Sequence, residues 1–185
     1  MALTAAGTDF SVLRYNADGS LDTTVGIGGT ASVVVGPSAQ VLSLVVQPDA
    51  MLVAAGSVST TDLTAVLVRF DQNGVLDTAF GTLGIASGPT QTFASDLLLD
   101  PNGKLVAAGG AGSCVTPFDC IFGVVRWNAD GTVDSSFGSG GVASVFPTGG
   151  YYPVEGTNGR QRSGARAERG PDRGRFGRHR FARNL

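Results

Sequence analysis

The chain has 185 residues, of which 28 are Gly, 42% are apolar and only 15% are charged. That length suits one sizeable body, and the apolar content excludes a chain that is disordered throughout. The net charge of −2 conceals two opposed parts: residues 1–159 carry four basic against thirteen acidic residues, and residues 160–185 carry nine Arg against two acids. No apolar run approaches the ~18 residues of a membrane-spanning helix. The opening Met1-Ala2-Leu3-Thr4 lacks the basic start and long apolar core of a secretory leader.

Taken in chain order, residues 10–13, 42–46, 52–55, 66–70, 97–99 and 121–127 predict short strands, rich in Leu and β-branched residues. Pro48-Asp49-Ala50 and Pro101-Asn102-Gly103 predict tight loops. Asp18-Gly19, Asn73-Gly74 and Asp130-Gly131 predict hairpins with primed turns. Gly is too frequent for long helices, and no stretch sustains a 3.6-residue period. In Phe10-Ser11-Val12-Leu13 and Leu63-Thr64-Ala65-Val66-Leu67-Val68, apolar residues fall on both alternating sets, so these strands are covered on both faces. The fold class is all-β.

An internal repeat organises these strands. Arg14-Tyr15-Asn16-Ala17-Asp18-Gly19 returns as Arg69-Phe70-Asp71-Gln72-Asn73-Gly74 and as Arg126-Trp127-Asn128-Ala129-Asp130-Gly131. Leu21-Asp22, Leu76-Asp77 and Val133-Asp134 follow in register, and then Val25-Gly26, Phe80-Gly81 and Phe137-Gly138. A second half-motif pairs Gln47-Pro48-Asp49-Ala50-Met51-Leu52-Val53-Ala54-Ala55-Gly56 with Asp100-Pro101-Asn102-Gly103-Lys104-Leu105-Val106-Ala107-Ala108-Gly109. Ala2-Leu3-Thr4-Ala5-Ala6-Gly7 matches its last six residues, so the chain is expected to open inside a repeat. Four strands per repeat of roughly 55 residues, with two-sided inner strands, predict propeller blades that stack on one another. Residues 2–35 form a partial blade, and 41–88 and 93–146 form full ones. A closed ring takes roughly four to eight blades, so sheet faces are left open for a partner or for further blades.

The Arg-aromatic-Asn-x-Asp-Gly, Leu-Asp-x-x-Phe-Gly, Gln-Pro-Asp and Leu-Val-Ala-Ala-Gly runs resemble the delta-60 repeat family over residues 2–146. The resemblance implies tandem bacterial repeats of β-propeller type, often exported or on the cell surface, with no assigned activity and no catalytic residues to transfer. Ala50 stands where the family's turn has Gly, and Val25 where it has Phe.

Candidate sites are few. Asn16, Asp18, Ser20 and Asp22, and again Asn128, Asp130, Thr132 and Asp134, alternate like the oxygen ligands of a calcium loop. Gly stands at the fourth position rather than the sixth, and Val75 interrupts the middle copy, so Asx-bonded turns are the plainer reading. Arg14, Arg69 and Arg126 would either ring a channel mouth or pair with Asp22, Asp77 and Asp134; recurrence of both partners favours pairing. Tyr15, Phe70, Trp127, Phe80 and Phe137 fit inter-blade core better than a sugar-binding platform. Cys114 and Cys120, in the loop between two strands, are expected to form a disulfide worth up to about 3 kcal/mol and so to imply an oxidising compartment. Up to residue 159 there is no His and only one Glu, Glu155, which excludes Ser-His-Asp and Cys-His catalysis.

Residues 1–148 are thus expected to form the repeat body and 149–185 an Arg/Gly-rich tail, disordered or read out of frame. The functional expectation is a non-enzymatic scaffold, a fragment of an exported or surface propeller, with a protein or carbohydrate ligand or missing blades as partner. No cofactor is expected apart from the calcium alternative. Rivals are a propeller enzyme acting on polysaccharide or a lactone through groups in absent blades, and a nucleic-acid binder working through the tail, which ranks last.

Overall fold

The computed structural model describes residues 2–112 and 121–145. The expected Cys114–Cys120 disulfide and the Arg-rich tail lie outside the described residues. The strands are β1 (Ala2–Ala6), β2 (Asp9–Leu13), β3 (Thr30–Val34), β4 (Gln40–Val46), β5 (Leu52–Ser59), β6 (Leu63–Phe70), β7 (Ile85–Thr90), β8 (Thr92–Leu99), β9 (Leu105–Ala111), β10 (Ile121–Trp127) and β11 (Val142–Val145). They form three antiparallel meanders: β1-β2-β3, β4-β5-β6-β7 and β8-β9-β10-β11. These are the partial blade and the two full blades expected from the repeat. Among the described residues no helix is long and apolar enough to cross a membrane.

The blades stack because their central strands carry apolar side chains on both faces. In β6, Val66, Val68 and Phe70 point to one cluster with Phe10, Val12, Val25, Ala31, Leu52 and Ala54. The alternate residues Ala65 and Leu67 point to a second cluster with Phe80, Leu105, Val125 and Trp127. The first cluster is the seam between blades one and two, and the second is the seam between blades two and three. Nearly all of these side chains are inaccessible to solvent, which is what a sheet buried on both faces requires. A further link joins the first strands of the two full blades. Each carries a register irregularity, at Val41/Ser43 and Ala94/Asp96, and there the Ser43 hydroxyl donates to Asp96 Oδ1 at 2.8 Å.

Two expectations need correction. The Asp-Gly and Asn-Gly turns are not primed. Gly19, Gly74 and Gly131 have φ of 85°, 80° and 87°, while Asp18, Asn73 and Asp130 stay at negative φ. The amides of Gly19, Gly74 and Gly131 donate to the carbonyls of Asn16, Asp71 and Asn128, each at 3.0 Å. This is a type I turn followed by a left-handed Gly, the geometry of a loop longer than two residues. The Pro loops close the same way, with Gly103 at φ 78° and Ala50 carrying φ 67°. Ala50 therefore occupies a backbone region that disfavours a Cβ, at about 1–2 kcal/mol.

The second correction concerns β1. The letter match sets Gly7 over Gly56, yet the pairing Ala2↔Leu13 makes Ala2 the equivalent of Ala54, paired as Ala54↔Val68. The strand is shifted by three residues. Gly7 and Thr8 form the whole connection between Ala6 and Asp9, and Gly7 has φ 66°. A two-residue turn with Gly at its first central position is a strong register signal, and it prevails over the resemblance of Ala-Ala-Gly runs.

Candidate functional site

The features that recur from blade to blade meet at the seams. After each Arg the type I turn reverses the chain, and the amides of Asp22, Asp77 and Asp134 donate to the carbonyls of Arg14, Arg69 and Arg126 at 2.9 Å. Each carboxylate thereby returns beside the guanidinium eight residues before it. Arg14 Nε donates to Asp22 Oδ2 at 2.8 Å, Arg69 Nη2 lies 2.6 Å from Asp77 Oδ2, and Arg126 Nε donates to Asp134 Oδ2 at 2.7 Å. The Arg residues are thus paired within their own blades rather than left as a ring of free cations.

The same guanidinium then crosses the seam. Arg14 Nη1 donates to the Gln72 carbonyl at 2.8 Å, and Arg69 Nη1 to the Ala129 carbonyl at 2.9 Å. Beside these bonds, the Gly26 amide donates to Asn73 at 2.7 Å and the Gly81 amide to Asp130 at 2.8 Å. Each seam is therefore stapled by two donors of one blade on two consecutive carbonyls of the next. The fit is close: a Cβ on Gly131 would stand 2.8 Å from the Gly81 nitrogen and 2.9 Å from the Phe80 ring. On Gly74 it would stand 2.8 Å from Val25 and 2.9 Å from the Gly26 nitrogen. Arg69 lies 4.5 Å above the Phe80 ring and Arg126 lies 4.4 Å above Phe137. Val25 offers Arg14 no such ring.

Asp22 and Asp134 are held as anions. Asp134 lies far below the ordinary carboxylate range because the Lys104 ammonium donates to it at 2.6 Å, with the Ser136 hydroxyl and Arg126 adding to the effect. Asp22 is lowered by the Thr24 hydroxyl and amide and then by Arg14. Ionised throughout the neutral range, these groups are poor proton donors and acceptors there; they serve as anchors for cations.

The calcium-loop residues are divided between two tasks. Asp18 Oδ1 accepts from the Ser20 amide and hydroxyl at 2.9 and 2.6 Å, and Asp130 Oδ1 from those of Thr132 at 2.9 and 2.7 Å. The Asn16 and Asn128 side chains donate to the same two hydroxyls, each at 3.0 Å. Asp22 and Asp134, by contrast, stand at the Arg staples. Among the described residues no three His, Cys, Asp or Glu side chains gather as a metal-binding group.

Of the aromatic residues, Phe70, Phe80 and Trp127 are buried in the seams, whereas Tyr15 is 45% exposed and Phe137 half-buried. Both exceptions lie on the outer blades. Each seam also opens a shallow cleft. One, of about 310 Å³, is bounded by Gly81, Ile85, Gly131 and Val133, and the other, of about 300 Å³, by Gly26, Ile27, Ala31 and Gly74. Sequence reasoning missed the cross-seam bonds and Lys104. The bonds end on backbone carbonyls, which carry no sequence signature, and Lys104 occupies the place held by Met51 in the preceding repeat.

Antiparallel sheets of three and four strands that stack face to face through repeated seams define a β-propeller-type repeat protein. The model of the family described as a domain of unknown function (DUF5122) beta-propeller matches residues 3–24, 47–80 and 101–137, half of the chain, and the chain belongs to that family. No curated protein matches it.

Proposed function

We propose that this chain is a non-enzymatic repeat scaffold, a blade stack of an exported or surface β-propeller that works through binding or structural contact. The finer delta-60 assignment, with its bacterial and extracytoplasmic setting, belongs to the same proposal and rests on the repeated Arg-aromatic-Asn-x-Asp-Gly motif. Its partners are further blades on the open faces and a protein or carbohydrate ligand. The observation that carries the reading is the staple: the charged residues that recur in each copy join blade to blade. Recurrence of that kind is how a repeat array distributes its stability.

Arg69→Ala tests this. Removing a hydrogen-bonded charge at the second seam should cost about 1–3 kcal/mol, seen as a lower midpoint in urea or heat. An unchanged midpoint would mean that the Arg residues have another task, and the scaffold reading would fall.

A further inference from the structure

Each seam has two unlike sides. The donor side presents the Arg Nη1, a Gly amide and an apolar sheet face; the acceptor side presents two consecutive turn carbonyls, a left-handed Gly and a second apolar face. Blade two uses both sides. Among the described residues, blade three keeps a donor side with nothing opposite it, and blade one keeps an acceptor side in the same condition.

The open donor side is already assembled. Arg126 is held by Asp134 and lies above Phe137 as Arg69 lies above Phe80. Among the described residues, neither its Nη1 nor the Gly138 amide has a partner. Val106, Val124, Phe137 and Ala143 are half-buried and Phe122 is 51% exposed. Their counterparts in blade two, Val53, Leu67, Phe80, Ala86 and Ala65, are each at most 2% exposed.

The open acceptor side offers the complementary backbone groups, beside a sheet face on which Ser11, bonded to Ser32 at 2.6 Å, stands where Val66 does in blade two. The carbonyls of Ala17 and Asp18 correspond to those of Gln72 and Asn73, and among the described residues neither accepts a hydrogen bond. A Cβ on Gly19 would meet nothing within 4 Å, where Gly74 and Gly131 touch the neighbouring blade. Tyr15 is 45% exposed where Phe70 is 1% exposed.

We propose that the open face of blade three docks on blade one of a second copy of this chain, repeating the internal seam head to tail. The inference rests on the scaffold reading and deepens it by naming the partner. Two unlike but complementary faces make a heterologous contact, which closes into a ring when the rotation allows. Two copies of the three described sheets bring six, within the roughly four to eight blades of a propeller.

Sedimentation equilibrium of the full chain over a range of concentrations tests it. The chain should associate reversibly. Phe122→Asp on the donor face and Tyr15→Asp on the acceptor face should each weaken association by about tenfold or more, since each sets a charge against an apolar face. An equimolar mixture should regain association, because the intact donor face of one variant meets the intact acceptor face of the other. That recovery also shows that both variants fold. In the associated wild type, the Gly138 amide should become protected from hydrogen exchange.

A monomer at every concentration, undiminished association of either variant, or a mixture no stronger than its components together with an unprotected Gly138 would overturn the proposal. A monomeric chain whose Arg69→Ala variant still loses stability would remove this inference alone. An unchanged Arg69→Ala midpoint would remove the scaffold reading beneath it.

Discussion

The two seams share one staple and differ in the side chain that lies under its guanidinium. At the second, Phe80 fills the core and supports the Arg69 guanidinium; at the first, Val25 stands in its place and, among the described residues, Arg14 has no ring below it. Arg69 is 15% exposed and Arg14 is 33% exposed, while their Asp partners are alike at 17% and 16%. The backbone staple is thus independent of the aromatic residue. What the aromatic adds is cover for the cation and volume in the seam, and that addition can be measured.

The largest difference between the seams should come from truncation. Phe80→Ala should cost about 3–5 kcal/mol by leaving a cavity between blades two and three. Val25→Ala should cost about 1–2 kcal/mol, because less apolar surface is lost. Urea unfolding of both variants reads the contrast, and equal losses would mean that the aromatic contributes nothing beyond its neighbours. Next comes the turn Gly. Gly131→Ala should cost about 2–3 kcal/mol, from the left-handed backbone together with the close approach to Gly81. Gly19→Ala, with open space around it, should cost only about 1 kcal/mol.

Acid should act more gradually. Asp18, Asp22, Asp71, Asp96, Asp100, Asp130 and Asp134 are all lowered in the folded chain, so the unfolded chain binds protons first as pH falls. Their stabilisation is complete above the unfolded value near pH 4 and is lost as pH falls toward the folded values. Asp134, with two cations and a hydroxyl on it, should give up its share last. Melting temperature followed from pH 7 to pH 2 should stay level and then decline below about pH 4. The smallest effect is a gain: Val25→Phe should place a ring under Arg14 and raise stability by about 0.5–1 kcal/mol, read as a higher midpoint.

Much of this arrangement was legible in the sequence because each copy vouches for the others. The two-sided pattern of residues 63–68 gave the stacking, and the joint recurrence of Arg14, Arg69 and Arg126 with Asp22, Asp77 and Asp134 gave the pairing. The turn type was not legible, since Asp-Gly suits both a primed turn and a type I turn closed by a left-handed Gly; the length of the loop between bridged residues decides. The register of β1 was masked by a match of small residues that the Gly7-Thr8 turn overrides. The staple across the seam ends on the carbonyls of Gln72, Asn73, Ala129 and Asp130, an atom every residue has, so no letter in the sequence announces it.

Amide hydrogen exchange at three equivalent glycines reads the seam itself. In protein diluted until sedimentation shows a monomer, the Gly26 and Gly81 amides, bonded across seams at 2.7 and 2.8 Å, should exchange slowly, and Gly138 should exchange rapidly. Rapid exchange at all three would show that the sheets do not stack through these bonds and would contradict the blade arrangement on which everything else depends.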